Sequence, residues 1–325
     1  MNYYQRSALA PTTINTYTSG VNGYLSFCNE LSITPFPLNE NYLQLYVSQI
    51  ARRVSFRTIK VYLAGLQFTS TMLGHTETIS GMHRLFYTIR GIRRTQGDNH
   101  RPRRQPFTIQ HIQHLFTFLD LSQLHDIDKL LLRSATTLAF FGLLRCSEYT
   151  SNSRHWFDAS CTLLLTDTRF SNSFDIAIIN LKSSKTDPFK SGCTIRVGSI
   201  GSNICPVKAL RQFLRNCLHR SGPLYTFVNG TYLTRTYLSN LITGLWPSST
   251  LNTHSFRIGG ASSAAAAGIP DSTIQLLGRW SSNAYQRYIH ITDDNVIDSA
   301  IRMSSALNLD RIWDPDTMSS RSFNI

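Results

Sequence analysis

Thr253-His254-Ser255-Phe256-Arg257, Gly278-Arg279-Trp280 and Tyr285-Gln286-Arg287-Tyr288-Ile289-His290 lie within about forty residues near the end of a 325-residue chain. Together they concentrate groups that bind or attack phosphate. His254 and Arg257 are three apart, so on a predicted helix they share a face. Arginine presents a planar fork that grips phosphate oxygens two at a time and keeps its charge at any working pH. Trp280 offers an indole N–H, which can only donate. The Tyr288 phenol has an ordinary pKa of about 10, so it attacks phosphorus at neutral pH only beside positive charge or a base. Tyr285, three residues earlier on the same predicted face, competes with it for that role.

Working outward, the helix that carries His254 is predicted over 254–267. Its Gly259-Gly260-Ala261 run allows close backbone packing, Gly268 stops it, and Pro270-Asp271 opens the next helix. Upstream, residues 127–144 form a strongly apolar helix ending in Leu143-Leu144-Arg145-Cys146-Ser147-Glu148. An arginine at the end of a buried helix is unfavourable unless an anion meets it. Glu148, three residues on, is one such anion, and a bound phosphate is the other. Between 161 and 200 the period changes to that of strands: Leu163–Leu165, Phe174–Leu181 and Cys193–Val197. The last two flank a polar hairpin tip carrying Lys182, Lys185 and Lys190. Cys205-Pro206 opens a further helix, and 234–245 is another.

Towards the N-terminus the pattern is of four short amphipathic helices, following Pro11, Asn39 and Ser55 and spanning 80–94. Their polar faces carry Arg52, Arg53, Arg57, Lys60, Arg84, Arg90, Arg93 and Arg94. The chain holds 32 Lys plus Arg against 19 Asp plus Glu, a net charge of +13. Residues 52–104 contribute eleven of those cations and only Glu77 and Asp98 as acids. Such a face favours nucleic acid. Gly97 to Pro106, with Arg101, Arg103 and Arg104, is polar, proline-punctuated and without periodicity, and reads as a linker able to follow a phosphate backbone. The six cysteines show no paired or zinc-binding spacing and read as reduced thiols. No apolar run reaches membrane-spanning length, and residues 1–6 lack the apolar core of a signal peptide. These features predict a soluble intracellular protein.

H-x-x-R at 254–257, L-L-G-R-W at 276–280 and Y-x-x-Y-I-H at 285–290 resemble the C-terminal signature of the tyrosine recombinase (phage integrase) family. The G-R-W and Y-I wording is most similar to recombinases of eukaryotic mobile elements of the DIRS, Ngaro and crypton kinds. L-L-R-x-x-E at 143–148 resembles the family's first arginine box. The resemblance implies a mainly α fold with a small antiparallel β-sheet: an N-terminal helical, DNA-clasping domain (1–98), a basic linker (99–107), an α+β catalytic domain (108–302) and a C-terminal tail (303–325). The two domains are expected to form a C-shaped clamp on DNA. Among site residues it implies Tyr288 as nucleophile, since it precedes an Ile-His pair. It also implies Arg145, Arg257, His254 and Trp280 around the phosphate, Glu148 steadying Arg145, and a hairpin lysine as general acid. Lys185 is the best match there, with Lys182 and Lys190 as alternatives. Trp280 stands where a histidine is common and lies eight residues before Tyr288, one fewer than in bacterial members. DNA contacts fall to Arg52, Arg53, Arg57, Lys60, Arg93, Arg94, Arg101, Arg103 and Arg104.

The implied activity is site-specific breakage and rejoining of double-stranded DNA through a covalent 3′-phosphotyrosine, for a mobile element. It is carried out by a homotetramer with a dimer on each site, in the nucleus if the host is eukaryotic. No metal and no nucleotide cofactor is required, because the step needs only a nucleophile, positive charge on the non-bridging oxygens and a proton for the leaving oxygen. Two alternatives use the same features: a catalytically silent DNA-binding descendant, and a type IB relaxing topoisomerase.

Overall fold

The computed structural model describes residues 8–97, 104–184 and 191–287, together with Gln5, Asp187, Phe189 and Ile289. The chain divides into two compact units, residues 1–101 and 102–325. Among the described residues no helix is long and apolar enough to cross a membrane.

In the first unit four helices, α1 (Pro11–Glu30), α2 (Glu40–Ile50), α3 (Phe56–Met72) and α4 (His83–Gln96), bury one stripe each. Their cores meet in Tyr24, Leu43, Tyr46, Ile59, Leu66 and Leu85. Capping follows the sequence. The Asn39 Oδ1 accepts from the Asn41 and Tyr42 amides at 2.9 and 3.4 Å, and the Ser55 hydroxyl accepts from the Thr58 amide at 3.3 Å. The start of α4 has no cap of its own. Glu40, from α2, accepts from the Arg84 and Leu85 amides at 2.7 and 3.0 Å and sets its carboxylate on the positive end of that helix. Those two amides, Leu85 first, hold its carboxyl below the usual carboxylate range. Glycine lets α1 and α3 cross closely: a Cβ at Gly20 would lie 2.7 Å from the Tyr62 ring, and one at Gly65 2.9 Å from the Tyr17 backbone. The cations stay outside. Arg52, Arg53, Arg57, Lys60, Arg93 and Arg94 are all exposed. Arg93 and Lys60 lie over the Phe56 ring at 5.6 and 5.9 Å.

The second unit is built on α6 (Asp126–Phe141), buried along most of its length from Leu131 to Phe140. Against it pack α5 (Ile109–Leu121), capped by Thr108, and α8 (Pro206–Asn216). The short α7 (Cys146–Tyr149) follows α6; α9 (Arg235–Leu245), α10 (Ser255–Ala266) and α11 (Asp271–Gly278) complete the helical layer. A three-stranded antiparallel sheet, β1 (Thr168–Phe170), β2 (Ile176–Leu181) and β3 (Cys193–Gly198), lies to one side in the order β1-β2-β3. Its register pairs Ala177 with Val197, Ile179 with Ile195 and Leu181 with Cys193. This puts Ala177, Ile179, Leu181, Ile195 and Val197 on the buried face. The architecture is thus mainly helical with a small antiparallel sheet.

Three local expectations change. The predicted first strand, Leu163–Leu165, is not one: Leu164 makes a single bridge to Pro223, a 3₁₀ turn spans Leu165–Asp167, and the strand comes after it. The apolar run of three leucines lies at the edge of the core, and Asp167 accepts the Leu164 amide at 2.8 Å, which turns the chain. The long apolar helix ends at Phe141 rather than 144, because Leu143 takes a left-handed conformation (φ 47°). Residues 105–107 of the predicted linker are built into the second unit. Gln105 and Thr250 exchange hydrogen bonds at 3.0 and 3.2 Å, and the buried Phe107 ring stacks on Phe256 at 4.1 Å.

Candidate active site

The site gathers where three chain segments end: the turn after α6, the start of α10 and the end of α11. Arg145 is the N-cap of α7, and Glu148 closes that turn on it. The Glu148 Oε2 accepts the Arg145 amide at 2.8 Å, and Oε1 accepts the Arg145 guanidinium at 2.9 Å. The Glu148 side chain is 1% exposed and that of Arg145 15%. The carboxylate is therefore sunk beneath the guanidinium. Of the two anions expected for Arg145, Glu148 is one.

Arg257 lies one turn into α10 and is fully buried, a rare place for a guanidinium. Nη1 donates to the Leu143 carbonyl and Nη2 to the Gly278 carbonyl. Its guanidinium also lies over the Trp280 ring at 4.2 Å, a cation–π contact. Arg257 thus ties the turn that precedes Arg145 to the end of α11. Gly259 and Gly260 make this approach feasible: a Cβ at 259 would sit 2.0 Å from the Phe107 carbonyl oxygen, and one at 260 would sit 2.2 Å from that of Phe140.

His254 is the N-cap residue of α10, its amide donating to Asn252 Oδ1 at 2.9 Å. Burial, reinforced by the guanidinium groups of Arg104, Arg257, Arg145 and Arg235, pushes its imidazole down to about 4. The ring is neutral at pH 7. All four guanidinium groups act electrostatically on this imidazole, and Arg104 and Arg235 are both exposed. Nothing in the sequence marked Arg235; it lies in the first turn of α9, ninety residues from Arg145.

Trp280 is 9% exposed and packs with Leu143, Ala261, Ile274 and Tyr285 in a small apolar cluster. One face of its ring meets Arg257, and it also covers Gly278, where a Cβ would stand 1.6 Å from Cζ3. Tyr285 is also buried, and its hydroxyl donates to Asp271 Oδ2 at 3.0 Å, which raises its pKa above the ordinary phenol value. A phenol that is packed away and bonded to a carboxylate is a poor nucleophile. Tyr288 itself lies outside the described residues, as do Lys185, Lys190, Arg101 and Arg103. Of the three hairpin lysines Lys182 is described. Its Nζ pairs with Asp167 at 3.0 Å and donates to the Ala159 carbonyl at 3.0 Å, which holds it at the base of the hairpin.

Arg279 reaches Glu148 Oε2 at 2.7 Å, so Glu148 carries two guanidinium groups.

The sequence matches no family profile and no curated protein. Solved structures do match. The Tn1549 transposon integrase in complex with transposon right-end DNA aligns with a TM-score of 0.60 at 15% identity, over 92% of this chain and 96% of that one. The XerH site-specific recombinase bound to its palindromic difH substrate gives 0.57 at 14%, over 88% and 78%. A lambda integrase dimer bound to a COC′ core site gives 0.57 at 13%, over 88% and 75%. The fold is that of the tyrosine recombinases.

Proposed function

We propose that this chain is a site-specific DNA recombinase or integrase that breaks and rejoins DNA through a 3′-phosphotyrosine on Tyr288. The observation that carries the reading is the convergence of Arg145, Glu148, His254 and Arg257, distant in sequence, on a tyrosine recombinase fold. In the cleavage step the Tyr288 oxygen attacks phosphorus, the bond to the 5′ oxygen breaks, and that oxygen takes a proton from a hairpin lysine. Lys185 is preferred, with Lys182 and Lys190 as alternatives. The phosphodiester is exchanged rather than hydrolysed, so a 5′ hydroxyl can reverse the step and rejoin a strand. Arg145 meets a non-bridging oxygen directly. Arg257 is the second fork for those oxygens, and its buried position, with a low local dielectric, keeps its charge effective. A neutral imidazole has one donor and one acceptor nitrogen, so His254 serves either a non-bridging oxygen or the phenol proton. Trp280 adds its N–H or, through its ring, the position of Arg257.

In this reading residues 1–98 clasp DNA through Arg52, Arg53, Arg57, Lys60, Arg93 and Arg94, with Arg101, Arg103 and Arg104 along the backbone. Residues 108–302 carry the chemistry and 303–325 dock on a neighbouring subunit. The assembly is a tetramer on two duplexes. The substrate is a mobile element of the DIRS, Ngaro or crypton kind in a eukaryotic nucleus. Support for a DNA substrate comes from the surplus of exposed arginine and from neighbours whose structures contain DNA.

The test is incubation with nicked element-end duplexes, followed by a denaturing gel and peptide mapping. A covalent protein–DNA band on a peptide containing Tyr288, absent in Tyr288→Phe, is expected. A band that survives Tyr288→Phe refutes the nucleophile. Binding to a cognate site without cleavage indicates the silent descendant, and relaxation of supercoils by a monomer without site preference indicates a topoisomerase.

A further inference from the structure

The chain reverses at the end of α11. Arg279 takes the left-handed conformation (φ 56°, ψ 43°), and the Arg279 and Trp280 amides donate back to the Leu276 and Gln275 carbonyls, each at 3.0 Å. The residues that follow run back towards the start of the helix. Ser281, Ser282 and Asn283 are exposed, and a 3₁₀ turn spans Asn283–Arg287. Tyr285, in this turn, reaches Asp271, the first residue of α11, its hydroxyl donating to Oδ2 at 3.0 Å. The partners are 14 residues apart, so their bond closes α11 and its return stretch into one loop.

Tyr285 is buried in the cluster of Leu143, Ala261, Ile274 and Trp280, its ring 6.2 Å from that of Trp280. Phenylalanine would fill that seat as well. The hydroxyl adds a direction, because a buried phenol needs a polar partner. Asp271 suits that part. A carboxylate in the first turn of a helix is favoured by the helix dipole, and a hydrogen bond to an ionised acceptor is about twice as strong as a neutral one. Ala284 and Ile289 pack against the same cluster. Its member Leu143 lies two residues before Arg145 in the chain. Tyr288 is joined to Ile289 by one peptide bond, and neighbouring Cα atoms are about 3.8 Å apart. Two anchored residues, Tyr285 and Ile289, thus bracket the proposed nucleophile within one protomer.

We propose that the Tyr285–Asp271 bond is a latch, with Tyr285 as a positioning residue: it holds the segment that bears Tyr288 against the site of its own protomer. This rests on the recombinase reading above. Removing the hydroxyl leaves the ring to pack but frees the segment to swing away. The nucleophile is then presented less often to its own site and becomes available to the site of a second copy.

The experiment uses the full chain and a nicked duplex drawn from a randomised pool by its capacity to trap the wild-type protein covalently. Single-turnover adduct formation at saturating duplex is compared for wild type, Tyr285→Phe, Asp271→Asn and the double variant. Tyr285→Phe is expected to slow adduct formation by about tenfold, the scale for losing one hydrogen bond to a charged group, and to leave duplex affinity within about twofold. Asp271→Asn is expected to do the same, and the double variant to lose no more than either single one, since both delete one interaction. A second readout reports which protomer supplies the tyrosine. Tyr288→Phe, which keeps its pocket, is mixed with Arg145→Ala, which keeps its nucleophile. The mixture is expected to give less than about a tenth of the wild-type adduct, and adding Tyr285→Phe to the Arg145→Ala protomer to raise that yield by about threefold or more. A merely structural role predicts a lower urea midpoint for Tyr285→Phe with both readouts unmoved wherever the variant is fully folded, and that result overturns the proposal. So do losses that multiply in the double variant, a latched mixture that reaches about half the wild-type yield, or a mixture yield that Tyr285→Phe does not raise. Should Asp271→Asn fail to fold, Tyr285→Phe, which retains the ring, carries both readouts alone, and a rate within about twofold of wild type refutes the latch. Failure of the wild-type protein to trap any duplex removes the recombinase reading and the inference together, whereas trapping by wild type with no Tyr285 effect removes the inference alone.

Discussion

His254 is a titrating group whose pKa moves with folding. Burial and the surrounding guanidinium groups hold its folded pKa at about 4, against an ordinary histidine near 6.5. The unfolded chain therefore takes up a proton in a window where the folded chain does not. Stability from this residue is fully present above about pH 6.5, declines as pH falls towards about 4, and is level below that. The whole decline amounts to at most about 3 kcal/mol. Urea midpoints of wild type and His254→Gln across this window are expected to converge as pH falls; a constant gap between the two curves refutes the shift. Because a phosphate would neutralise the nearby cations, bound duplex is expected to raise this pKa, which the imidazole proton resonances report. Glu148 gives a second prediction. Its removal leaves Arg145 and Arg279 facing each other without a counter-charge. Glu148→Ala is expected to cost roughly 3 kcal/mol in denaturant unfolding, the scale for breaking a buried pair by deleting one partner. Replacing Glu148 and Arg279 together should recover part of that loss.

At the scale of elements, the site depends on three backbones coming closer than side chains allow. Gly259 lies against the Phe107 carbonyl, Gly260 against that of Phe140, and Gly278 against the Trp280 ring. Gly278→Ala puts a methyl 1.6 Å from a ring carbon, so the indole must leave its seat over Arg257. A loss of about 2 kcal/mol in stability is expected, with a blue-to-red shift in tryptophan emission as the ring meets water, and an unchanged spectrum refutes it. Much of this arrangement was legible in the sequence. The glycine–alanine run announced close packing, Asn39, Ser55 and Thr108 announced helix starts, and alternating Ala177, Ile179 and Leu181 announced a strand with one buried face. What escaped was set by tertiary context. Three consecutive leucines at 163–165 carry no period, so they read as a strand although they form a bridge and a turn. Arg279 and Trp280 are adjacent, and only the left-handed turn between α11 and the tryptophan separates their surroundings. Arg104 and Arg235 come to His254 from elements that no local motif connects to it.

For the whole molecule, electrostatics gives the prediction that needs no knowledge of the target sequence. The chain carries +13, and its first unit presents Arg52, Arg53, Arg57, Lys60, Arg93 and Arg94 at the surface. None of these six has a carboxylate partner among the described residues, so their charge is available to an external anion. A cation that neutralises a DNA phosphate releases a condensed counterion, and the logarithm of affinity falls with the logarithm of salt by about 0.9 per contact. Arg93 and Lys60 also lie over the Phe56 ring, which orients them without cancelling their charge. Replacing Arg93 and Arg94 together by alanine is therefore expected to lower the salt slope of duplex binding by about 2, equally for cognate and unrelated sequences. Adduct formation at saturating DNA should be little changed, because the substituted residues belong to the first unit and the reacting groups to the second. Replacing Arg145 should do the reverse, stopping cleavage while leaving most of the salt slope in place. A double variant with an unaltered slope would remove this face from the DNA-binding surface, and one that lost affinity for a single sequence only would show that these arginines read bases rather than backbone.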